Sequence, residues 1–254
     1  MADKMPVLFI SHGNPMLALD KAAGADYAAW GKALPRPKAI LIFSAHWEEP
    51  GLVFGETRRH DKLIYDFHGF PPPLFQVQYP APGAEGLLRD IRVLFDEEIP
   101  QRPRGLDHGV WVPLLHMWPD ADVPVLQMSL PRVSNQGLFE LGRRLAPLRA
   151  QGVIIAGAGT LTHNLREGLG GGYTATPEWA SRFDAWVAQT LVEDRRRLLT
   201  WETEAPEAQR NHPSPEHFRP LLISAGAADE DEAPSFPTVG YDLFTFSKRS
   251  VQFG

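Results

Sequence analysis

Ala39-Ile40-Leu41-Ile42-Phe43-Ser44-Ala45-His46-Trp47 is the stretch whose reading decides the fold. Its first five residues are apolar, rich in β-branched and aromatic types, and set between Pro37 and the Glu48-Glu49-Pro50-Gly51 turn. That pattern predicts a strand buried on both faces, as in a parallel sheet. Such a strand opens at its carboxyl end into a loop, and here it delivers His46. The arrangement recurs at Pro6-Val7-Leu8-Phe9-Ile10, which runs into Ser11-His12-Gly13-Asn14-Pro15. It recurs again where Val153-Ile154-Ile155-Ala156 runs through Gly157-Ala158-Gly159-Thr160 to His163-Asn164. Ligands of open α/β sheets bind outside the carboxyl ends of the strands, so three strand-end histidines are expected to face one crevice.

Working outward, Ala18 to Trp30 predicts a helix that stops near Pro35-Arg36-Pro37 and completes a β-α-β unit. Leu87, Leu88, Ile91, Leu94 and Phe95 form one apolar stripe on a helix over residues 84–98. Val123 to Met128 predicts a further strand. Asn135 is the expected cap of a helix whose Leu138, Leu141, Leu145 and Leu148 face the core before Gly152 stops it. Thr176-Pro177 starts the longest helix, to about Leu199, with Trp179, Phe183, Trp186, Val187, Thr190 and Leu191 on one face. Ser214-Pro215 starts another and places His217 in its first turn. Tyr241 to Phe246 and Ser250 to Phe253 read as an antiparallel hairpin. No repeat, linker or composition shift interrupts the 254 residues. The expected fold is one α/β domain over residues 1–254: a central, mostly parallel sheet flanked by helices, with an antiparallel C-terminal edge hairpin.

Composition narrows the function. The chain is 43% hydrophobic and 22% charged, ordinary for a soluble globular protein, and its net charge of -6 argues against a nucleic-acid surface. Arg195-Arg196-Arg197, the densest basic cluster, is expected to cap a helix C-terminus. There is no Cys, so disulfides, zinc thiolates and thiol nucleophiles are excluded together, and any metal must sit on nitrogen and oxygen. No apolar segment follows Met1-Ala2-Asp3-Lys4, and no run of about eighteen apolar residues occurs. Neither signal peptide nor membrane span is expected, and the default location is the cytoplasm.

Among nine histidines, His12 and His46 have the strongest case as metal ligands. Each follows a buried strand beside a small residue, Gly13 or Ala45, that leaves room for a ligand. Two neutral imidazoles suit iron, zinc or copper, and His217, His163, Glu48 or Glu216 could supply a third ligand. Asp107 could orient the His108 imidazole through one ring nitrogen and leave the other free for proton transfer. His60, His68, His116 and His212 lack such context and are read as structural. His68 lies in the aromatic loop from Arg58 to Pro82, long enough to be a pocket wall or a lid. Other templates fail. Gly157-Ala158-Gly159 lacks the third glycine of a dinucleotide loop, and no Walker lysine, Gly-x-Ser-x-Gly elbow or His-Glu-x-x-His helix is present. Ser11 and Ser44 precede histidines, but a serine nucleophile needs its base adjacent in space.

One family joins these pieces. His12-Gly13-Asn14-Pro15, Ser44-Ala45-His46-Trp47, Asp66-Phe67-His68-Gly69-Phe70-Pro71, Tyr79-Pro80-Ala81-Pro82-Gly83, Asp107-His108-Gly109, His163-Asn164-Leu165 and Pro215-Glu216-His217 resemble, in order and over nearly the whole chain, the class III extradiol ring-cleavage dioxygenases of the LigB-like type, in the 4,5-DOPA dioxygenase branch. The resemblance implies one divalent metal ion per chain on His12, His46 and His217. It implies His163 as acid/base or as a fourth ligand, and His108 as a further active-site histidine. The substrates it implies are a small aromatic diol and O2. It implies Fe(II) as the ion for ring cleavage. Non-haem Fe(II) oxygenases typically use two histidines and a carboxylate, whereas an all-nitrogen set also suits Zn(II). The competing reading is therefore a zinc-bound hydrolase or a non-catalytic metal-binding protein on the same scaffold. Two expectations follow: the loop from His60 to Gly69 moves to admit substrate, and the metal is shed below roughly pH 6, because free histidine titrates near 6.5.

Overall fold

The apolar stretch from Ala39 is the second strand of a six-stranded sheet, in a computed structural model that describes residues 4–254. Met1-Ala2-Asp3, part of the stretch read above for a leader, lie outside the described residues. In chain order, β1 (Val7–Ser11), α1 (Ala25–Ala33) and β2 (Ala39–Glu49) are followed by α2 (Glu85–Phe95), α3 (His108–Met117) and β3 (Val125–Pro131). Next come α4 (Asn135–Leu145), β4 (Val153–Gly159), α5 (Leu165–Gly170), α6 (Glu178–Glu193), α7 (Trp201–Glu204), α8 (Ala208–Asn211) and α9 (Arg219–Ala227). Four short strands close the chain: β5 (Pro234–Ser235), β6 (Tyr241–Asp242), β7 (Phe246–Ser247) and β8 (Val251–Phe253).

The sheet order is β3-β2-β4-β1-β8-β5, parallel from β3 to β1 and antiparallel beyond. Alternate residues of the parallel strands feed two cores. Val7, Phe9, Leu41, Phe43 and Ile155 pack against α2, α4, α6 and α9. Leu8, Ile10, Ile40, Ile42 and Ile154 pack against α1, α3 and the chain around Tyr79. Burial on both faces is why these strands are continuously apolar. With three parallel strands ending side by side, the loops carrying His12 and His163 meet the end of β2 on one edge; β2 runs on past the expected turn to Glu49, so His46 lies within the strand and not in a loop. Among the described residues no helix is long and apolar enough to cross a membrane.

Several boundaries differ from expectation, each for a local reason. Residues 18–30 are not one helix: Pro15–Leu19 is a 3-10 turn and α1 begins at Ala25. Ser134, not Asn135, caps α4, its side chain accepting the Gly137 N–H. Helix α6 stops at Glu193 because Asp194 turns extended and caps a separate 3-10 turn over Arg195–Thr200. Arg195 does cap a helix C-terminus, but that of α9, donating to the carbonyls of Ala228 and Asp229. His217 lies in a tight turn ahead of α9 rather than in its first turn; the Phe218 and Arg219 N–H groups both reach back to Pro215 O. The C-terminal strands are antiparallel as expected, with a different pairing: β6 pairs with β7 as a separate hairpin, while β8 pairs with β1.

Candidate active site

Each strand end shapes its histidine differently. At β1 the His12 N–H continues the ladder to Gly159 O (3.0 Å). Gly13 then takes φ +65°, open to glycine, and turns its carbonyl back to accept from His12 Nδ1 at 2.7 Å. At β2 the pairing with β3 slips between Phe43 and Glu48, a bulge that re-aims His46. Fully buried Asp107 braces this bulge, accepting from Ser44 Oγ (2.7 Å), Gln127 Nε2 (2.6 Å) and Arg104 Nη1 (2.9 Å). Arg104 in turn donates to His46 O and lies over the Trp47 ring. Asp107 therefore does not orient the His108 ring, as its sequence position had suggested; its oxygens are committed beneath β2. At β4 the Gly157-Ala158-Gly159 run serves packing. A Cβ on Gly159 would stand 2.1 Å from His217 O, and one on Gly157 2.4 Å from Pro220 O. The missing side chains let the His217 turn lie directly on the sheet, where Thr160 N–H bonds His217 O at 3.1 Å.

His12, His46 and His217 bring one ligand nitrogen each within 4.8 Å of one another. In all three the Nδ1 faces an oxygen: Gly13 O for His12 (2.7 Å), Asp66 Oδ2 for His46 (3.3 Å) and Glu216 Oε1 for His217 (2.9 Å). Each Nδ1 therefore carries the proton and each Nε2 presents a lone pair. The Nε2 atoms of His12 and His46 stand 3.3 Å apart with no proton left to share between them, and His217 Nε2 is buried without a hydrogen-bond partner. Such a set is self-repulsive until a cation enters. The 3.3 Å separation is what two nitrogens adopt around one ion at bond lengths of about 2.0–2.1 Å. The residues present thus fit a divalent metal. Burial first, and the neighbouring imidazoles after it, hold His12 and His217 well below the ordinary histidine range and His46 down to about 4. All three are neutral at pH 7, as ligation requires.

His163 stacks on His217 with ring centres 3.4 Å apart and groups with His217 and Glu216, outside the trio. Burial, then the positive charge of other histidines, lowers it to about 3. His108 opens α3, and its Nδ1 donates to Asp66 Oδ1 at 2.7 Å while its backbone N–H reaches the same oxygen. Asp66 is thus a single carboxylate shared by His46 and His108. Burial opposes its ionisation, but the His108 hydrogen bond and the two imidazoles outweigh burial and hold it near 2. Asp66 went unassigned in the sequence, where its one signal was membership of the Asp66-Phe67-His68-Gly69-Phe70 segment.

The remaining candidates are accounted for. Glu48 is bound to Arg219 at 2.6 Å, and Glu216 holds His217 from behind, so neither carboxylate replaces an imidazole in the trio. Ser11 Oγ donates to Ser247 O and Ser44 Oγ to Asp107, so neither of these two serines is paired with a base as a nucleophile. His60, His116 and His212 donate to the carbonyls of Val125, Leu17 and Leu161, as structural histidines do. The loop from His60 to Gly69 is a fixed wall over most of its length. Ile64 N–H bonds Leu106 O, Tyr65 OH bonds Val77 O, Asp66 holds two histidines, and Phe67 packs on Phe70, Phe75 and Trp111. Asp61-Lys62, Asp66 and His68-Gly69 stand exposed, Asp66 being tied down by its two histidines, so the expected motion of the whole loop is not what its contacts favour. Phe67, edge-on to His108 at 5.6 Å, and Phe246, 5.6 Å from His163, flank the histidines with aromatic surface.

A mostly parallel sheet with an all-imidazole, metal-ready centre at its carboxyl edge defines a class, and the chain belongs to the family of the catalytic LigB subunit of aromatic ring-opening dioxygenases, which it matches over residues 6–253. It is an extradiol ring-cleavage dioxygenase. The 4,5-DOPA dioxygenase extradiol of Beta vulgaris is 40% identical over 96% of this chain and 95% of its own length. The protein of the same name from Escherichia coli (strain K12) is 36% identical over 99% of this chain and 95% of its own. The crystal structure of an uncharacterized protein from Escherichia coli K12 superposes with a TM-score of 0.83 at 32% identity, covering 99% of this chain and all of that one.

Proposed function

We propose that this enzyme opens the ring of a catechol of the DOPA type, using one Fe(II) ion held by the Nε2 atoms of His12, His46 and His217. The observation that carries the reading is the convergence of three lone pairs whose Nδ1 protons are each tied to an oxygen. Bound Fe(II) supplies the one-electron chemistry that lets O2 react with a closed-shell ring, which redox-inert Zn(II) does not. The relatives named as 4,5-DOPA dioxygenases support the substrate class.

The chain's own groups supply binding and proton transfer. His163, neutral and stacked beside His217, takes the proton of a catechol hydroxyl as the diol docks. Its place outside the trio favours the acid/base role over that of a fourth ligand. His108, with Nδ1–H fixed on Asp66, keeps Nε2 for proton exchange with the reacting ring. Phe67 and Phe246 offer ring faces and edges and exclude water. The test is anaerobic loading with Fe(II), then addition of L-DOPA and air. A yellow ring-opened product is expected from the Fe(II) protein and none from the Zn(II) protein. Stoichiometric metal binding at the trio with no opening of any catechol would refute the reading in favour of a metal-binding protein without this activity.

A further inference from the structure

We propose that the cavity between the His12 loop and the β6–β7 hairpin receives the amino-acid end of the substrate, Lys248 binding its carboxylate and Asp242 its ammonium group. The proposal rests on the catechol-opening reading and deepens it by naming the residues that select for the amino-acid end of a DOPA-type substrate.

The cavity is about 610 Å³, and its lining includes Gly13, Asn14, Leu17, Tyr27, Asp242 and Lys248. Two independent links tie Asp242 to neighbours of the site histidines. Asn14, two residues beyond His12, donates from Nδ2 to Asp242 Oδ2 at 2.9 Å. Asp242 is also the cross-strand partner of Phe246, and directly opposed residues of an antiparallel pair send their side chains to the same face. The Phe246 ring stands 5.6 Å from that of His163. The carboxylate is thus held from the His12 side and shares a face with the aromatic wall beside the proposed base.

Its bonding capacity is not used up. An ionised carboxylate offers about four acceptor positions, and the Asn14 amide takes one. Lys248 follows Ser247 at the base of the hairpin, where its backbone N–H bonds Gly240 O at 2.8 Å. The neighbouring Arg249 is committed to Asp184 at 2.7 Å, whereas the Lys248 ammonium makes no ion pair among the described residues. Of the two carboxylates and two lysines in the lining, Asp20 accepts from the Ala22 and Ala23 N–H groups and Lys21 is exposed. That leaves Asp242, with free lone pairs, and Lys248, without an ion-pair partner among the described residues, beside the Leu17 and Tyr27 wall as the donor set for a zwitterion. An apolar substituent would shield both charges from water and return nothing.

Four catechols separate the two contacts: L-DOPA, dopamine (no carboxylate), 3-(3,4-dihydroxyphenyl)propionate (no ammonium) and 4-methylcatechol (neither). In the Fe(II)-loaded Lys248→Gln variant, kcat/KM for L-DOPA relative to 4-methylcatechol is expected to fall about five- to thirtyfold, a fall shared by the propionate but not by dopamine. Asp242→Asn should reverse the pattern, lowering L-DOPA and dopamine together. An equal loss on all four compounds would assign both residues a merely structural role, and no loss on L-DOPA would also overturn the proposal. An equal loss in Lys21→Gln, a lysine at the exposed mouth, would overturn the assignment to Lys248. Anaerobic binding of L-DOPA and 4-methylcatechol, followed by tryptophan fluorescence, needs no turnover and should show the preference for L-DOPA disappearing in each variant. If the wild type binds L-DOPA preferentially yet opens no catechol, the ring-opening reading fails and the subsite stands. If it opens 4-methylcatechol as efficiently as L-DOPA, the subsite fails and the ring-opening reading stands.

Discussion

Gly159→Ala adds one methyl group 2.1 Å from His217 O, where a carbon–oxygen contact normally settles at about 3.3 Å or more. The obstacle is backbone, so it cannot rotate away; β4 is central in the sheet, so the His217 turn must retreat by roughly 1 Å. Metal–ligand distances tolerate only about 0.2 Å, which takes the third imidazole out of range. Two consequences are expected. Overpacking should destabilise the metal-free protein by about 1–3 kcal/mol, a fall in Tm of roughly 2–12 °C for a chain of this size. Loss of a positioned ligand should raise the Kd for the metal by about 10–100-fold, by analogy with the removal of groups that orient ligands. Calorimetry and metal titration of the purified variant measure the two effects. Gly142→Ala is the control, because its Cβ would stand equally close, 2.1 Å, to Ile223 O on α9, away from the histidines. It should lower Tm comparably and leave metal affinity much closer to wild type. Wild-type metal affinity in Gly159→Ala would refute the idea that the close approach of turn to sheet is what holds His217 in place.

Other outcomes follow from the same geometry. His12→Ala, His46→Ala and His217→Ala should each lose metal, whereas His163→Ala should retain it and lose turnover by roughly a hundredfold to ten-thousandfold; equal metal loss in all four would put His163 among the ligands. Asp66→Asn should weaken metal binding and slow turnover together, by about tenfold or more each, because one carboxylate orients both His46 and His108; a change in only one of the two would separate those functions. The metal-free protein should lose stability as pH falls from about 6.5 towards 4. Burial lowers His46 and His212 to about 4, so in this window the unfolded chain binds protons that the folded chain does not. Each such group contributes up to about 1.4 kcal/mol per pH unit there, present in full above 6.5 and lost on acidification. His212→Asn, remote from the metal trio in its Phe183, Trp201 and Phe218 cage, should make the slope of Tm against pH shallower by one proton, and an unchanged slope would show that His212 does not titrate there. For the same reason metal release should begin near pH 4 rather than at the pH 6 expected of free histidine, a shift that metal content measured after acid dialysis would reveal.

The sequence by itself determined the parallel strands and the edge at which they end, because burial on both faces forces continuous apolar runs such as Ala39 to Phe43, and local composition records burial directly. It also singled out the histidines that the structure brings together, since His12, His46 and His163 stand at fixed distances beyond those runs and His217 belongs to an ordered set of motifs. The partner of each histidine was decided only by the tertiary structure. Asp107 adjoins His108 in the chain yet braces β2, while Asp66, 42 residues away, holds the ring. Chain adjacency points successive side chains in different directions, whereas a hydrogen bond needs only two atoms in the same place. Gly157 and Gly159 looked like a failed nucleotide loop, because the segment that presses on them lies some sixty residues further along the chain. The C-terminal pairing followed the same rule. Both edge segments were legible as strands, but which partner each would take depended on the sheet edge that β1 leaves open.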